Sequence, residues 1–198
     1  MGMIFYIMGK SASGKDSLFR ILKEDPELGL KTVVMYTTRP MREGEADGRE
    51  YFFTDEAVKE AFLAEGKMIE CRTYQTIHGP WSYFTARDGQ IDLSQGNYLM
   101  MGTLESYAKM QEFYGPEQII PLYIQVEDGE RLSRALAREK QQKAPHYAEM
   151  CRRFLADEED FSEEKLLKVG ITPSMRIENI HLEETAQRCK AMIRQRKG

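Results

Sequence analysis

A loop that binds phosphate is predicted near the start of the sequence, over Gly9, Lys10, Ser11, Ala12, Ser13, Gly14, Lys15, Asp16 and Ser17. Gly9, Gly14 and Lys15 fit the frame Gly-x-x-x-x-Gly-Lys, in which glycines let main-chain N–H groups turn toward phosphate oxygens and the lysine adds a cation. An apolar run over 3–8 precedes the loop, and apolar residues at helical spacing follow it. The loop therefore joins a strand to a helix, whose N-terminal dipole also favours a bound anion.

The residue that closes this loop is unusual. The frame normally ends in Ser or Thr, whose hydroxyl binds Mg²⁺, but here the position is Asp16. A carboxylate oxygen is also a ligand that Mg²⁺ accepts, so Asp16 is a candidate metal ligand. The alternative is that Asp16 only stabilises the start of its helix, where an anion is favourable.

A second anion site is predicted in the stretch YTTRPMREGEADGREYFF, residues 36–53. Arg39 and Arg42 lie three residues apart on a loop, and two guanidinium groups so placed can hold one phosphate. Tyr51 offers a phenol to the same oxygens, and Glu45 and Asp47 are expected to brace the arginines. The alternative is a charged loop that only contacts solvent.

Together with the loop at 9–15, this stretch resembles the guanylate kinase family, whose pattern is Thr-Thr-Arg-x-x-Arg-x-Gly-Glu-x-x-Gly-x-x-Tyr-x-Phe. The matching residues are Thr37, Thr38, Arg39, Arg42, Gly44, Glu45, Gly48, Tyr51 and Phe53. The resemblance implies a P-loop nucleoside monophosphate kinase. Such an enzyme transfers the γ-phosphoryl group of ATP to GMP or dGMP, with Mg²⁺ as cofactor.

The resemblance also assigns residues to the acceptor. Arg39, Arg42 and Tyr51 would hold the phosphate of GMP. Glu70 matches the glutamate that reads guanine, since a carboxylate can accept hydrogen bonds from both N1–H and the 2-amino group. An exposed glutamate after a strand is the alternative for Glu70.

A further pair of acceptor contacts is expected in WSYFT, residues 81–85. The family has Tyr-Gly-Thr or Tyr-Gly-Ser there, so Tyr83 would contact the phosphate and Thr85 the base. Phe84 replaces the family's glycine, and the segment is longer than usual. Trp81 or His78 therefore remains an alternative contact.

Arginines that follow residue 128 are candidates for a lid over the ATP phosphates. Charge develops on the transferred phosphoryl group, and arginines that close over it stabilise that charge. The resemblance implies, beside the catalytic Lys15, three lid arginines, which are Arg134, Arg138 and Arg153. For Arg131 and Arg152 a solvated helix face paired with glutamates is the alternative. By the same resemblance Asn179 would lie near the adenine end of ATP.

Two further positions depart from the family. A serine that contacts guanine is replaced by Met35, and the aspartates of a family strand are replaced by apolar residues at 99–101. The loss of these aspartates strengthens the case that Asp16 is a metal ligand.

Apolar strands alternate with helical segments, which predicts an α/β fold with a parallel sheet covered on both faces. Strands are expected at 3–8, 31–38, 97–102, 118–126 and 175–180. Helices are expected at 55–65, 147–157 and 182–196 and at 128–143, where Leu132, Ala135 and Leu136 would face inward. The fold class is thus a P-loop NTPase-type sheet flanked by helices, with residues 1–38 and 96–198 as its core. Residues 39–95 would form an inserted, partly β acceptor-binding lobe, and about 139–153 a helical lid.

The composition limits the remaining possibilities. The 198 residues carry a net charge of −4, which argues against a nucleic-acid partner. The apolar run at 3–8 is far too short to cross a membrane, so no membrane partner is expected. Three scattered cysteines indicate reduced thiols in the cytoplasm. A monomer and a homodimer both remain open.

Two other functions remain possible from the sequence. Ribose 1,5-bisphosphate phosphokinases resemble guanylate kinases and can carry the tetrapeptide found at 14–17. This function remains an alternative because Met35 replaces a residue that contacts guanine in guanylate kinases. A guanylate kinase-like module that binds without catalysis is the other, although such modules lack an intact phosphate loop.

Overall fold

The computed structural model of the chain describes residues 1–76 and 79–197. Across these residues nine strands form two sheets. The strands are β1 (Ile4–Met8), β2 (Lys31–Thr32), β3 (Tyr36–Thr37), β4 (Phe52–Phe53), β5 (Met68–Thr76), β6 (Gly79–Ala86), β7 (Tyr98–Met101), β8 (Ile119–Gln125) and β9 (Ile177–Glu178). The helices are α1 (Lys15–Lys23), α2 (Glu56–Ala64), α3 (Leu104–Tyr114), α4 (Asp128–Lys140), α5 (Tyr147–Asp160), α6 (Glu163–Lys168) and α7 (Leu182–Lys197), with one 3-10 turn at Pro173–Met175.

The core sheet has the strand order β2-β7-β1-β8-β9, and every pairing in it is parallel. Its central strand β1 is fully buried because side chains alternate between two covered faces. Phe5 and Ile7 pack with residues of α1 and α7, whereas Tyr6 and Met8 pack with residues of α3. The predicted α/β fold class is thereby confirmed, and the phosphate loop follows the carboxyl end of β1, where ligands collect in such sheets.

The second sheet has the order β4-β3-β6-β5 and belongs to the lobe. Its largest part is the antiparallel hairpin of β5 and β6, and β3 pairs with β6 and with β4. Tyr36, Phe52, Phe62 and Phe84 form an aromatic cluster that packs α2 against this sheet. The part of the predicted lobe from Met68 to Ala86 is thus mainly one antiparallel pair of strands, and His78 lies outside the described residues.

The prediction of a single strand over residues 31–38 is wrong. The chain leaves the core sheet after Thr32 and enters the lobe sheet at Tyr36. Between them, the side-chain amide of Gln90 accepts from the Val34 N–H at 2.9 Å and donates to the Val34 carbonyl at 3.0 Å. The apolar run is therefore continuous in sequence but is divided between two sheets.

The inward face of α4 also differs from the prediction. Leu132 is 40% exposed, whereas its neighbour Arg131 is only 1% exposed. The helix has few apolar residues, and acidic groups from α5 face Arg131, so a charged contact decides its orientation. The last strand is shorter than expected, and α6 was not predicted. In the part of the chain that the structure covers, no helix has the length and apolar content needed to cross a bilayer.

Candidate functional site

The phosphate loop is held in shape by Asn179. Ala12 and Gly14 have left-handed backbone angles, with φ of 62° and 85°, and such residues turn neighbouring N–H groups to one side. The Asn179 side chain donates to the Ser13 carbonyl at 2.8 Å and accepts from the Thr185 hydroxyl at 3.0 Å. A β-carbon on Gly14 would lie 2.4 Å from the Asn179 amide nitrogen, so the loop and this side chain fit only with glycine there.

Asn179 also borders a cavity of about 660 Å³ beside the loop. The cavity lies between the end of β8, the start of α4 and the β9–α7 junction, and Arg134 and His181 contribute to its wall. Its size is in the range of small-molecule sites. The expected adenine position near Asn179 stays a prediction, and the structure adds that this side chain fixes the loop.

Acidic residues of α5 hold the first part of the loop. Asp157 accepts from the Ser11 N–H at 2.7 Å, and Glu158 pairs with the Lys10 ammonium group at 2.7 Å. Arg131 donates to the Ser11 carbonyl at 3.1 Å and to Glu158 at 2.8 Å. Helices α4 and α5 are thereby joined to the loop through a network of charges.

The alternative of a solvated position is wrong for Arg131. Its guanidinium also donates to Asp128 at 2.8 Å and lies 4.5 Å from the ring centre of Phe154. A buried arginine needs such partners because an unpaired buried charge is strongly destabilising. Arg152 does match the solvated alternative, since it is exposed and pairs with Glu149 at 2.7 Å.

The predicted lid arginines fall in two places. Arg138 and Arg153 line one cavity of about 150 Å³ between α4 and α5, to which Ser11 of the phosphate loop also contributes. Arg153 donates to Glu149 at 2.8 Å. Arg134 lies apart from them and donates to Glu130 at 2.8 Å and to the Asn179 carbonyl at 3.2 Å. Their catalytic roles stay predictions.

Asp16 lies exposed in the first turn of α1. Its side chain makes no hydrogen bond to any described residue, and Gly14 occupies the position that precedes the helix, so a capping hydrogen bond is not observed. No group of three or more His, Cys, Asp or Glu residues suited to a metal occurs within residues 1–76 and 79–197. A free carboxylate beside Lys15 nevertheless fits Mg²⁺, which binds one or two carboxylates together with substrate phosphates and waters.

On the lobe, Arg39 is 3% exposed and is braced by Glu45. Its two terminal nitrogens donate to the two carboxylate oxygens at 2.9 and 2.7 Å, and the Arg39 guanidinium holds the pKa of Glu45 down to about 2. The solvated-loop alternative is therefore wrong for Arg39. The expectation that Asp47 braces an arginine is also wrong, because Asp47 accepts from the Phe53 N–H at 2.8 Å and shapes the loop. Arg42 is exposed, and its side chain contacts no described hydrogen-bond partner.

Glu70 lies on the same surface of the lobe and is only 3% exposed. It accepts from the Thr85 hydroxyl at 2.8 Å and from the Arg72 Nε at 3.0 Å. Burial raises the pKa of Glu70, and the Arg72 cation opposes that shift. The exposed-glutamate alternative is wrong. Because a hydroxyl has one proton, Thr85 donates it to Glu70 and can offer only lone pairs to a base.

The remaining acceptor candidates lie beside these groups. Tyr83 is opposite Arg72 in the hairpin, and its ring centre is 5.6 Å from that of Tyr51. The Tyr51 ring centre in turn lies 5.5 Å from the Arg39 guanidinium. One surface thus holds the predicted phosphate and base contacts of the lobe. Trp81 lies two pairs further along the hairpin, opposite Tyr74, whereas His78 lies outside the described residues.

Two buried arginines that border the candidate site were not assigned to it from the sequence. Arg131 was given the solvated alternative, and Arg72 was not considered. For Arg72 a signal existed, because residues two apart in a strand share a face, so Arg72 must lie beside Glu70. For Arg131 no local signal indicated burial, since its partners in α5 are 26 and 27 residues further along the chain.

The fold is that of a P-loop NTPase with an inserted lobe. Comparison with known proteins indicates which family within this class the chain resembles. Residues 3–80 match the family model described as guanylate kinase. A guanylate kinase from Bradyrhizobium diazoefficiens is 42% identical over 72 residues, which cover 36% of this chain and 32% of that protein. Guanylate kinase 2, chloroplastic/mitochondrial, from Oryza sativa subsp. japonica is 30% identical over 139 residues, covering 70% of this chain and 47% of that protein.

The crystal structure of guanylate kinase from Anaplasma phagocytophilum superimposes with a TM-score of 0.63 at 20% identity, over 98% of this chain and 85% of the other. At that identity the likeness supports the fold alone. The matched segments span about a third to a half of the two curated relatives. The family model and these relatives together support membership of the chain in the guanylate kinase family.

Proposed function

We propose that the protein is a guanylate kinase that transfers the γ-phosphoryl group of ATP to GMP or dGMP and yields ADP and GDP or dGDP. The observation that carries this proposal is the placement of Glu70 on the same lobe surface as Arg39 and Tyr51. A buried carboxylate that accepts hydrogen bonds suits the N1–H and 2-amino donors of guanine, and adenine has no such pair.

The position of this surface relative to the phosphate loop supports the proposal. Arg72 of the lobe donates to the Thr103 hydroxyl at 3.1 Å. Thr103 follows β7, which pairs with β1 through Ile7 and Met101, and the phosphate loop follows β1. The acceptor surface therefore meets the core at the carboxyl end of the sheet, the end that carries the loop, and this supports one cleft for the two anion sites.

In this cleft the residues position the reactants and stabilise charge. The loop amides and Lys15 hold the ATP phosphates, while Arg39 and Arg42 align the phosphate of GMP. Arg138 and Arg153 stabilise the charge that develops on the transferred group, and the anionic acceptor oxygen needs no general base. Mg²⁺, held by Asp16 together with phosphate oxygens, would neutralise charge on the phosphates when bound.

A coupled assay of ADP release tests the function. We expect ATP-dependent turnover with GMP and dGMP and much weaker turnover with AMP, CMP, UMP and ribose 1,5-bisphosphate. Lys15→Ala should lower kcat at least about 100-fold because it removes a transition-state cation, whereas Lys23→Ala at the other end of α1 should act as wild type. Turnover with ribose 1,5-bisphosphate alone would favour the sugar kinase, and no turnover with any acceptor would favour a binding module.

The role of Asp16 has its own test. Asp16→Asn removes the charge with little change in size, so we expect a several-fold rise in the Mg²⁺ concentration that gives half-maximal turnover. Glu24→Gln removes a charge from the opposite end of α1 and serves as the control. An identical Mg²⁺ dependence in all three proteins would rule out Asp16 as a ligand.

We further propose a cytoplasmic location and a monomer or homodimer without a nucleic-acid or membrane partner. The support is the net charge of −4 and the three cysteines, of which Cys71 and Cys151 are exposed as free thiols. Exposed free thiols are typical of a reducing compartment.

A further inference from the structure

Arg72 is a buried cation that the proposed reaction has not used. It is 8% exposed, and its guanidinium contacts Glu70 through Nε at 3.0 Å, Thr103 through Nη1 at 3.1 Å and the Met35 sulfur through Nη2 at 3.7 Å. A guanidinium has five N–H groups, and these contacts use three. The contact with Met35 is the weakest, because a thioether is a poor acceptor and the distance is long.

The location of Arg72 coincides with two departures from the family pattern. Met35 replaces the serine expected to contact guanine, and Thr103 follows the strand that lacks the family's aspartates. Arg72 bridges these two places and also lies near the predicted phosphate contacts. Tyr51 is one of those contacts. Burial raises the pKa of Tyr51, and the Arg39 and Arg72 cations are close enough to oppose that shift.

The pair of Glu70 and Arg72 presents an acceptor and a donor side by side on one strand. Guanine presents the matching arrangement, a donor at N1–H next to an acceptor at O6, whereas adenine presents an acceptor at N1 next to a donor at its 6-amino group. The pair is also neutral as a whole, which suits an uncharged base in a buried site.

We propose that Arg72 is a specificity-determining residue that donates a hydrogen bond to O6 of the guanine base, in exchange for its weak contact with Met35, while Glu70 accepts from N1–H. This inference rests on the proposed function, since it assigns one more contact in the same acceptor site. It explains how the site reads the 6-position although Met35 has no polar hydrogen to donate.

The test compares GMP with 6-thio-GMP, in which sulfur, a weaker acceptor, replaces O6 and the N1–H and 2-amino groups remain. For wild type we expect kcat/KM to be at least about ten-fold lower with 6-thio-GMP, the range for a hydrogen bond to a charged group. Arg72→Met has a similar volume but no donor, so it should have a lower kcat/KM for GMP and nearly equal values for the two acceptors. Arg87→Met, which removes an exposed arginine just after β6, should keep the wild-type ratio.

Each outcome decides the proposal. Equal values for GMP and 6-thio-GMP in wild type overturn it, as does an unchanged ratio in a folded Arg72→Met protein, and in both cases the guanylate kinase function stands. The comparison of GMP with 6-thio-GMP in wild type needs no variant, so it remains decisive even if Arg72→Met does not fold. Arg72→Lys provides a second variant. Turnover with ribose 1,5-bisphosphate and none with GMP would overturn the function itself and this inference with it.

Discussion

Gly14 is the residue at which backbone conformation and side-chain contact both demand glycine. Its φ is 85°, and an added β-carbon would lie 2.4 Å from the Asn179 amide nitrogen. Gly170 has almost the same φ, 81°, but nothing lies within 4 Å of the position that a β-carbon would take. The two glycines therefore separate the cost of the left-handed conformation from the cost of disturbing the loop.

We expect Gly170→Ala to lower the free energy of unfolding by about 1–2 kcal/mol, the cost of a left-handed alanine. Gly14→Ala should lower the free energy of unfolding by more than Gly170→Ala does. It should also bind ATP at least about ten-fold more weakly, because Asn179 must move and release the Ser13 carbonyl. Urea unfolding and ATP titration measure the two effects. Equal losses in both variants, with ATP affinity unchanged, would contradict the role assigned to Asn179.

Single residues were predictable where the chemistry is local in sequence. The glycines and lysine of the loop form a short pattern, and the structure places it directly after β1 as that pattern requires. Arg131 could not be assigned in this way, because its burial depends on Asp157 and Glu158, which reach it only when α5 packs against α4. Arg72 was predictable from strand alternation, but the length of β5 was not recognised.

The loop between β3 and β4 depends on the ion pair of Arg39 and Glu45, which gives it a pH dependence. The pKa of Glu45 is about 2 in the folded protein, below the value of about 4.3 for a free side chain. Its contribution to stability is therefore complete above about pH 4.3 and is lost as the pH falls toward 2.

We expect wild type to lose more stability between about pH 5 and pH 2.5 than Glu45→Gln, which lacks this titration. Glu43→Gln removes a neighbouring exposed charge whose side chain has no hydrogen-bond partner in the described chain, and it should follow wild type. Urea midpoints measured across this pH range provide the comparison. Parallel pH curves for wild type and Glu45→Gln would contradict the ion pair.

Helices α4 and α5 pack through charges more than through apolar side chains, and this predicts a large difference between two arginines. Arg131→Ala would leave Asp157 and Glu158 without their buried partner, so we expect a loss of about 2–4 kcal/mol in the free energy of unfolding. Arg152→Ala removes an exposed pair with Glu149 and should cost at most about 1 kcal/mol. If urea unfolding gave equal losses, the docking of α5 would have to rest on other contacts.

Elements were predictable in proportion to their burial. β1, β7 and β8 have apolar runs because both faces of the core sheet are covered, so their positions were close to correct. The prediction of one strand over the apolar run at 31–38 was wrong, because apolar content indicates that a segment is buried but not in which sheet it lies. The change of sheet between Thr32 and Tyr36 depends on Gln90, more than 50 residues away.

The arrangement of the two sheets rests on the two segments that cross between them, residues 33–35 and 87–97. Gln90 joins these segments through both of its hydrogen bonds to Val34, and its amide also donates to Asp88 at 2.7 Å. Asp88 in turn accepts from the Tyr36 hydroxyl at 2.7 Å. Because the proposed acceptor surface lies on the lobe sheet and the loop at 9–17 follows a strand of the core sheet, these crossings set the position of one relative to the other.

Gln90→Ala should therefore loosen the lobe without touching either anion site. We expect the Val34 amide to exchange with solvent about five-fold faster, the effect of losing one hydrogen bond of about 1 kcal/mol, and the KM for GMP to rise while ATP affinity stays unchanged. Gln195→Ala, an exposed glutamine on α7, should match wild type in both measurements. Since the amide of Val34 reports this contact directly, equal exchange rates in the two variants would mean that Gln90 does not hold the crossing segments together.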